Sequence, residues 1–268
     1  MKMISFNIWG GRYFDALMAF VREHAPTTDV FCFQEVLDSP IGPVVSSGSR
    51  ANLYEELCGA LPDFHAYFAP VQEYYDHTMT TVEPITAGSA TFVRKTRTVL
   101  KTEEQLICGT RNGFIPGDYG TVPSNMFAVQ FDVNGTLLTI ANVHGTCGPY
   151  DKLDSPERLE QSRRVLAFMQ AQPGEKIVMG DFNMLPGTVS LQMFVDAGYR
   201  DLVKEYAITT TRGTQMRIAH PTYGSGKWGW QEFADYTFVT SGVRETRFEV
   251  PDLPLSDHLP MIMEFEPV

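Results

Sequence analysis

Apolar residues in this chain fall mostly into short alternating or continuous runs, punctuated by a few stretches at helical spacing. Residues 2–8 alternate as a strand ending at Asn7, and Gly10-Gly11 reads as a turn. Residues 13–24 place Phe14, Leu17, Met18 and Val21 at helical spacing, closed by Pro26. Residues 29–36 form a continuous apolar run that reads as a buried strand, with Gln34-Glu35 at its end. A right-handed strand–helix–strand crossover would carry both carboxyl ends to one edge, placing Asn7 beside Glu35.

Further along, the pattern predicts a helix over 52–61 and a strand over 64–69. An exposed, irregular insertion is expected over 71–87, then antiparallel strands over 88–93 and 96–107. Asn134-Gly135 between the alternating runs 125–133 and 136–143 is a hairpin signal. Ser155-Pro156-Glu157 supplies an N-cap, a proline at the first helical position and an acid in the first turn. The strand 176–179 runs into Gly180, where the backbone turns, and the polar residues Asp181 and Asn183 follow. A helix over 188–197 ends at Gly198, and strands are expected over 233–239, 244–250 and 261–265. Loops occupy 39–49, 109–123 and 212–232. About ten strands in mixed order with about four helices predict an α/β architecture of two sheets in one domain spanning residues 1–268.

Composition narrows the picture. Of 268 residues, 43% are hydrophobic and 20% charged, the profile of a globular protein with a large core. The net charge of −11, from 32 acids and 21 bases, argues against strong non-specific nucleic-acid binding and suits the gathering of divalent cations. Cys32, Cys58, Cys108 and Cys147 have no CxxC spacing, so neither a disulfide framework nor a zinc site is expected. No apolar run approaches the ~20 residues of a membrane span. The N-terminus reads as a strand, not a signal peptide, so a cytoplasmic protein with no obligate protein partner is expected.

What remains is a set of polar residues at strand ends: Asn7, Glu35, Asn142, His144, Asp181, Asn183, Asp235, Asp257 and His258. Each alone is an ordinary turn or capping residue. Together they are acids, amides and imidazoles without thiols, a donor set for Mg²⁺ or Mn²⁺ together with acid/base groups for hydrolysis near neutral pH.

Phe6-Asn7-Ile8, Gln34-Glu35, Asn142-Val143-His144, Gly180-Asp181-Phe182-Asn183, Asp235-Tyr236 and Ser256-Asp257-His258 resemble, in order, the motifs of the endonuclease/exonuclease/phosphatase superfamily. The resemblance implies a four-layer sandwich of two mixed β-sheets flanked by helices, and hydrolysis of a phosphodiester. It further implies Glu35 as the principal metal carboxylate with Asn7 and Asp257 beside it. Asp181 would align or deprotonate the attacking water, and Asn183 would hold that water or a phosphate oxygen. Asp235 would orient His258 toward the non-bridging oxygens. His144, helped by Asn142, would meet the phosphate or the leaving oxygen.

Two positions depart from the deoxyribonuclease-like pattern. Thr86-Ala87-Gly88-Ser89 lacks the glutamate that pairs with the first histidine, so His144 is without that partner. Pro123-Ser124-Asn125 lacks an arginine, a phosphate contact that Arg111 or Arg217 would have to replace. Trp228 and Trp230, with Lys227, offer stacking surfaces for a base, sugar or headgroup; packing of the loop onto the domain explains them equally well. Substrates from nucleic acid to small phosphodiesters stay open. A non-catalytic phosphate-binding module that kept the fold is the alternative function.

Overall fold

The computed structural model describes residues 1–41, 48–77, 80–214 and 229–267. Two six-stranded mixed sheets pack face to face with helices on their outer surfaces. The first sheet is built on β1 (Lys2–Asn7) and β2 (Val30–Asp38), which run parallel on either side of α1 (Phe14–His24), as the alternation predicts. α2 (Leu53–Ala60), β3 (Phe64–Glu73) and β4 (Thr86–Arg94) follow. The second sheet begins with β5 (Val99–Cys108), β6 (Ser124–Val133) and β7 (Thr136–His144). After α3 (Pro156–Ala171) it continues with β8 (Glu175–Asp181), parallel to β7. Beyond α4 (Val189–Asp196), β9 (Arg200–Asp201), α5 (Leu202–Glu205) and β10 (Asp235–Val239) complete that sheet. The chain returns to the first sheet with β11 (Val243–Glu249) and β12 (Met261–Pro267). The strand orders are β11-β12-β1-β2-β4-β3 and β5-β6-β7-β8-β10-β9.

Alternation decides which layer each side chain joins. On β1 and β2, Met3, Val30 and Cys32 point between the sheets, while Ile4, Phe6, Phe31 and Phe33 meet Leu17, Val21, Leu53 and Leu57 of the helices. Asn134 and Gly135 both have positive φ, as the tight hairpin between β6 and β7 requires. Ser155 caps α3 by accepting from the Arg158 backbone N–H at 3.3 Å.

Three sequence expectations change. β5 leaves β4 to pair with β6, because the chain crosses between sheets at 95–98. Residues 71–87 are not a wholly exposed insertion. Tyr75, Ile85 and Ala87 are buried in a satellite core with Leu37, Ala51 and Phe114. β9 and α5 were not foreseen, being too short to show a period.

The interface between the sheets is not wholly apolar. Gln34 Nε2 donates to Asn142 Oδ1 at 2.6 Å and to Ser5 Oγ at 3.2 Å. Asn142 Nδ2 donates to Phe33 O, Ala90 O and Thr91 Oγ1 at 3.2–3.3 Å. This buried network joins β7 of one sheet to β1, β2 and β4 of the other. Each amide left unpaired there would cost about 1–3 kcal/mol, so the sheets have one favourable mutual placement.

Candidate active site

β1, β2, β7 and β8 end on the same edge of the sandwich, and antiparallel β10 and β12 begin there. The ends of both sheets therefore converge, which is how residues 7, 35, 144, 181, 235 and 257–258 meet. The Asn7 amide spans the sheets, Nδ2 donating to Glu35 Oε1 at 3.0 Å and to Asp181 Oδ2 at 2.9 Å. Its Oδ1 accepts from the Trp9 backbone N–H at 3.1 Å. In this arrangement Asn7 ties two carboxylates together across the sheets. Glu35 is aimed by a local irregularity: its φ is +56°, at a break in the β2–β4 register between Phe33 and Val36. A bulge of this kind re-aims one side chain at a site's rim.

Gly180, with φ +141°, leads into Asp181, which is 1% exposed. Phe182 then plunges into the core against Phe194, Tyr236 and Phe238, while the Phe182 and Asn183 backbone N–H groups donate to Ala234 O. The alternation is thus pinned by an aromatic anchor between two polar residues. Asn183 turns back with φ +55°; its backbone N–H donates to Asp181 Oδ1 at 2.8 Å and its Nδ2 to Gly145 O at 3.2 Å.

Asp181 Oδ2 is the hub. His258 Nε2 lies 3.6 Å away and His144 Nε2 4.0 Å away. Burial opposes the Asp181 charge, yet His258, His144 and Lys152, with the Asn7 hydrogen bond, hold its pKa below the ordinary carboxylate range. Asp181 therefore stays an anion and acceptor at neutral pH. Asp235 Oδ2 lies 2.8 Å from His258 Nδ1, the orienting contact the sequence implied. Burial raises the Asp235 pKa, with Asp181 adding to the rise and His258 opposing it.

Arg212 is a site residue that sequence reasoning missed. Its guanidinium lies across the Trp230 ring, 5.6 Å from the centroid, and donates to Asp257 Oδ2 at 2.8 Å. Nη1 also approaches His258 Nε2 at 2.5 Å. Arginine only donates, so Nε2 is the acceptor there and the imidazole carries its proton on Nδ1, facing Asp235. Burial and Arg212 push His258 toward its neutral form, while Asp235, Asp257 and Asp181 outweigh them and raise its pKa. Full protonation of His258 requires Arg212 to leave Nε2. Removing that cation by Arg212→Met is expected to move the His258 titration to higher pH, read from the pH dependence of its imidazole NMR shifts. A titration that stays put or moves to lower pH would refute this coupling.

These groups face a cavity of about 670 Å³ lined by Trp9, Arg12, Glu35, Tyr75, His77, His144, Lys152, Asp181, Asn183, Arg212, Trp230, Asp257 and His258, among others. Asp257 is on its wall, with Oδ2 accepting from Arg212 at 2.8 Å. His77, from the stretch read as an exposed insertion, has a buried Nε2 without a hydrogen-bond partner among the described residues, and burial lowers its pKa to about 4. Arg111 does not line the cavity; it is exposed and paired with Glu104 at 2.8 Å and with Pro70 O. Asn142 also lies away from it, in the seam between the sheets. Trp228, with Arg217 and Lys227, falls outside the described residues; Trp230 reaches the cavity wall.

The donor set fits a hard divalent cation. Glu35, His144 and Asp181 each bring a possible ligand atom within 4.8 Å of the others. Asp181, Asp235 and His258 do so too, but the His258–Asp235 hydrogen bond already uses that pair. Cys147 also lines the cavity, with its pKa pushed up to about 12 by burial, so it remains a thiol and a poor ligand.

A family model described as the Endonuclease/Exonuclease/phosphatase family matches residues 4–258. Among the curated proteins, no match is found. An endonuclease/exonuclease/phosphatase from Bacteroides vulgatus superposes with a TM-score of 0.70 at 19% identity, covering 100% of this chain and 98% of that one. A mannosyl-6-phosphatase from Bacteroides thetaiotaomicron gives 0.67 at 18% identity, covering 99% of both chains. D. rerio TDP2, complexed with a single-strand DNA product, gives 0.66 at 18% identity, covering 99% and 98%. Likeness at these identities carries the fold.

Proposed function

The chain belongs to the endonuclease/exonuclease/phosphatase family, a group of phosphate-ester hydrolases, and from that premise we propose a Mg²⁺- or Mn²⁺-dependent phosphoesterase that hydrolyses a phosphodiester. One observation carries the reading: Glu35, His144, Asp181, Asn183 and His258 converge from both sheets on one cavity, with Asn7 and Asp235 hydrogen-bonded to them from behind its wall. Glu35 and Asp181, with His144 beside them, would hold the cation, which supplies Lewis-acid polarisation of the phosphoryl oxygen.

The chain's own residues do the rest. Asp181, kept ionised, accepts a proton of the attacking water and aligns it, while Asn183 limits where that water sits. His258, oriented by Asp235, meets the negative charge that builds on the phosphoryl oxygens once Arg212 turns from Nε2. Arg212, on the same cavity wall, would reach the same oxygens. His144 would stand near the leaving group, and the nearby His77 is a further cavity imidazole.

The walls carry Arg12, Lys152 and Arg212 against Glu35, Asp181 and Asp257, and the whole chain is acidic at −11. That balance supports a small phosphodiester over a long polyanion. The expected result is turnover of bis-nitrophenyl phosphate that EDTA abolishes and Mg²⁺ or Mn²⁺ restores. Undiminished turnover after thorough chelation would sink the reading, and phosphate binding without any turnover would favour the non-catalytic module.

A further inference from the structure

Lys152 sits in the wall of the cavity beside Asp181, Asn183, Arg212 and His258, yet it is only 8% exposed. Among the described residues its ammonium makes no hydrogen bond or ion pair. A buried ammonium with no hydrogen-bond partner among the described residues loses its hydration and recovers only part of it from carboxylates at a distance, so a ligand oxygen would complete it. The nearest charges do not neutralise it as a bonded partner would. Burial and Arg212 lower its pKa to about 8, while Asp181, Asp235 and Asp257 act to raise it.

The loop that presents Lys152 is built for the purpose. Arg158, fully buried on α3, donates to Pro149 O, to Leu153 O at 2.7 Å and to Asp151 Oδ1 at 3.4 Å, pinning the segment on both sides of Lys152. Asp154 accepts from the Val189 and Ser190 backbone N–H groups at the start of α4, at 2.7 and 2.9 Å. Lys152 O accepts from the Leu185 backbone N–H at 2.9 Å, joining the loop to the chain that follows Asn183. Lys152 itself has φ +56°, a conformation an L-residue adopts only when its surroundings enforce it. A loop fastened at this many points, in a strained conformation, to present one unpaired cation is the layout of a binding group.

We propose that Lys152 is a substrate-binding residue whose ammonium pairs with a non-bridging oxygen of the phosphate held against Asp181 and His258. It thereby provides the cationic contact that Arg111, turned away to Glu104, does not. A lysine suits this role as a compact point charge with three donors. The proposal rests on the phosphoesterase reading above, but its test does not require turnover.

Binding of inorganic phosphate, with Mg²⁺ present, is measured by titration calorimetry for the wild type, Lys152→Met, Lys152→Arg and Lys101→Met. Lys101 is an exposed residue of β5, away from the cavity. Lys152→Met is expected to weaken phosphate binding on the order of 10- to 100-fold, Lys152→Arg to stay within a few-fold of the wild type, and Lys101→Met to match it. Near-UV circular dichroism verifies that each variant is folded. Equal affinity in Lys152→Met and the wild type overturns the proposal, as does loss in Lys152→Arg as deep as in Lys152→Met, which would indicate packing instead of charge. A wild type that binds no phosphate overturns it too. Phosphate binding lost in Lys152→Met, in a protein that hydrolyses nothing, would leave the Lys152 contact standing and remove the phosphoesterase.

Discussion

Asp181→Ala is expected to lower kcat/KM for bis-nitrophenyl phosphate by a factor on the order of 10²–10⁴, the usual weight of one positioned proton acceptor. The size follows from how many roles one carboxylate fills. Its Oδ2 is the meeting point of Asn7, His258 and His144, and its Oδ1 fixes the turn at Asn183. His258, His144 and Lys152 keep it ionised against the cost of burial. Alanine removes the acceptor for the water and the anion that faces Lys152 and the two imidazoles. Asp181→Asn keeps the shape and the Asn183 turn but loses the charge, so it separates the two contributions. An Asp181→Ala protein within about tenfold of the wild type, at saturating Mg²⁺ and with an unchanged circular dichroism spectrum, would remove Asp181 from the chemistry.

Gly180→Ala is expected to be among the most damaging single-methyl additions in the molecule, costing upwards of ~4 kcal/mol or preventing folding. Gly180 has φ +141°, a region that L-residues rarely adopt. A Cβ there would stand 2.0 Å from Val143 O and 2.9 Å from Val143 N and C. Those are backbone atoms of β7, paired in parallel register with β8, so neither strand can yield without breaking the ladder. Gly187, with φ +84° and open space around its missing Cβ, provides the contrast: Gly187→Ala is expected to cost about 1 kcal/mol from the backbone alone. Denaturant midpoints for the two variants check this; a Gly180→Ala midpoint no lower than that of Gly187→Ala would contradict the steric account. The close approach also explains why the acid follows a glycine. With no side chain between them, β7 and β8 pair closely at this point, and His144 Nε2 lies 4.0 Å from Asp181 Oδ2.

Much of the site was legible because its residues sit where strands end, and strand ends are visible in sequence. Asn7 and Glu35 lie 28 residues apart but were placed together by one crossover, and the structure joins them at 3.0 Å. Asn142 shows the limit of that logic. It shares a strand face with His144, but two residues of depth move it from the cavity into the seam between the sheets. Sequence periodicity gives the face and not the depth.

Arg212, Lys152 and His77 were illegible for a different reason. They lie in loops, where no period exists, and their positions depend on contacts with distant elements, such as Arg158 holding the 149–153 loop. The sheet change at β5 was hidden likewise, since adjacent alternating strands look like a hairpin whether or not they pair. The one local hint for Lys152 was the run Asp151-Lys152-Leu153-Asp154-Ser155-Pro156, polar and closed by a helix start. It marks a loop of defined shape without saying which side chain faces inward.

The amide seam formed by Gln34 and Asn142 has a consequence for how such a chain can change over generations. Because this seam and the Asn7 bridge lock the sheets to each other, the reacting groups form a frame whose geometry is independent of the segments around it. The strip at 109–123 can then be lengthened, shortened or rewritten, altering which leaving group enters, while the groups held by the seam keep their places. A frame of this kind lets a descendant change what it admits at the margins of the site while the arrangement at its centre is inherited whole.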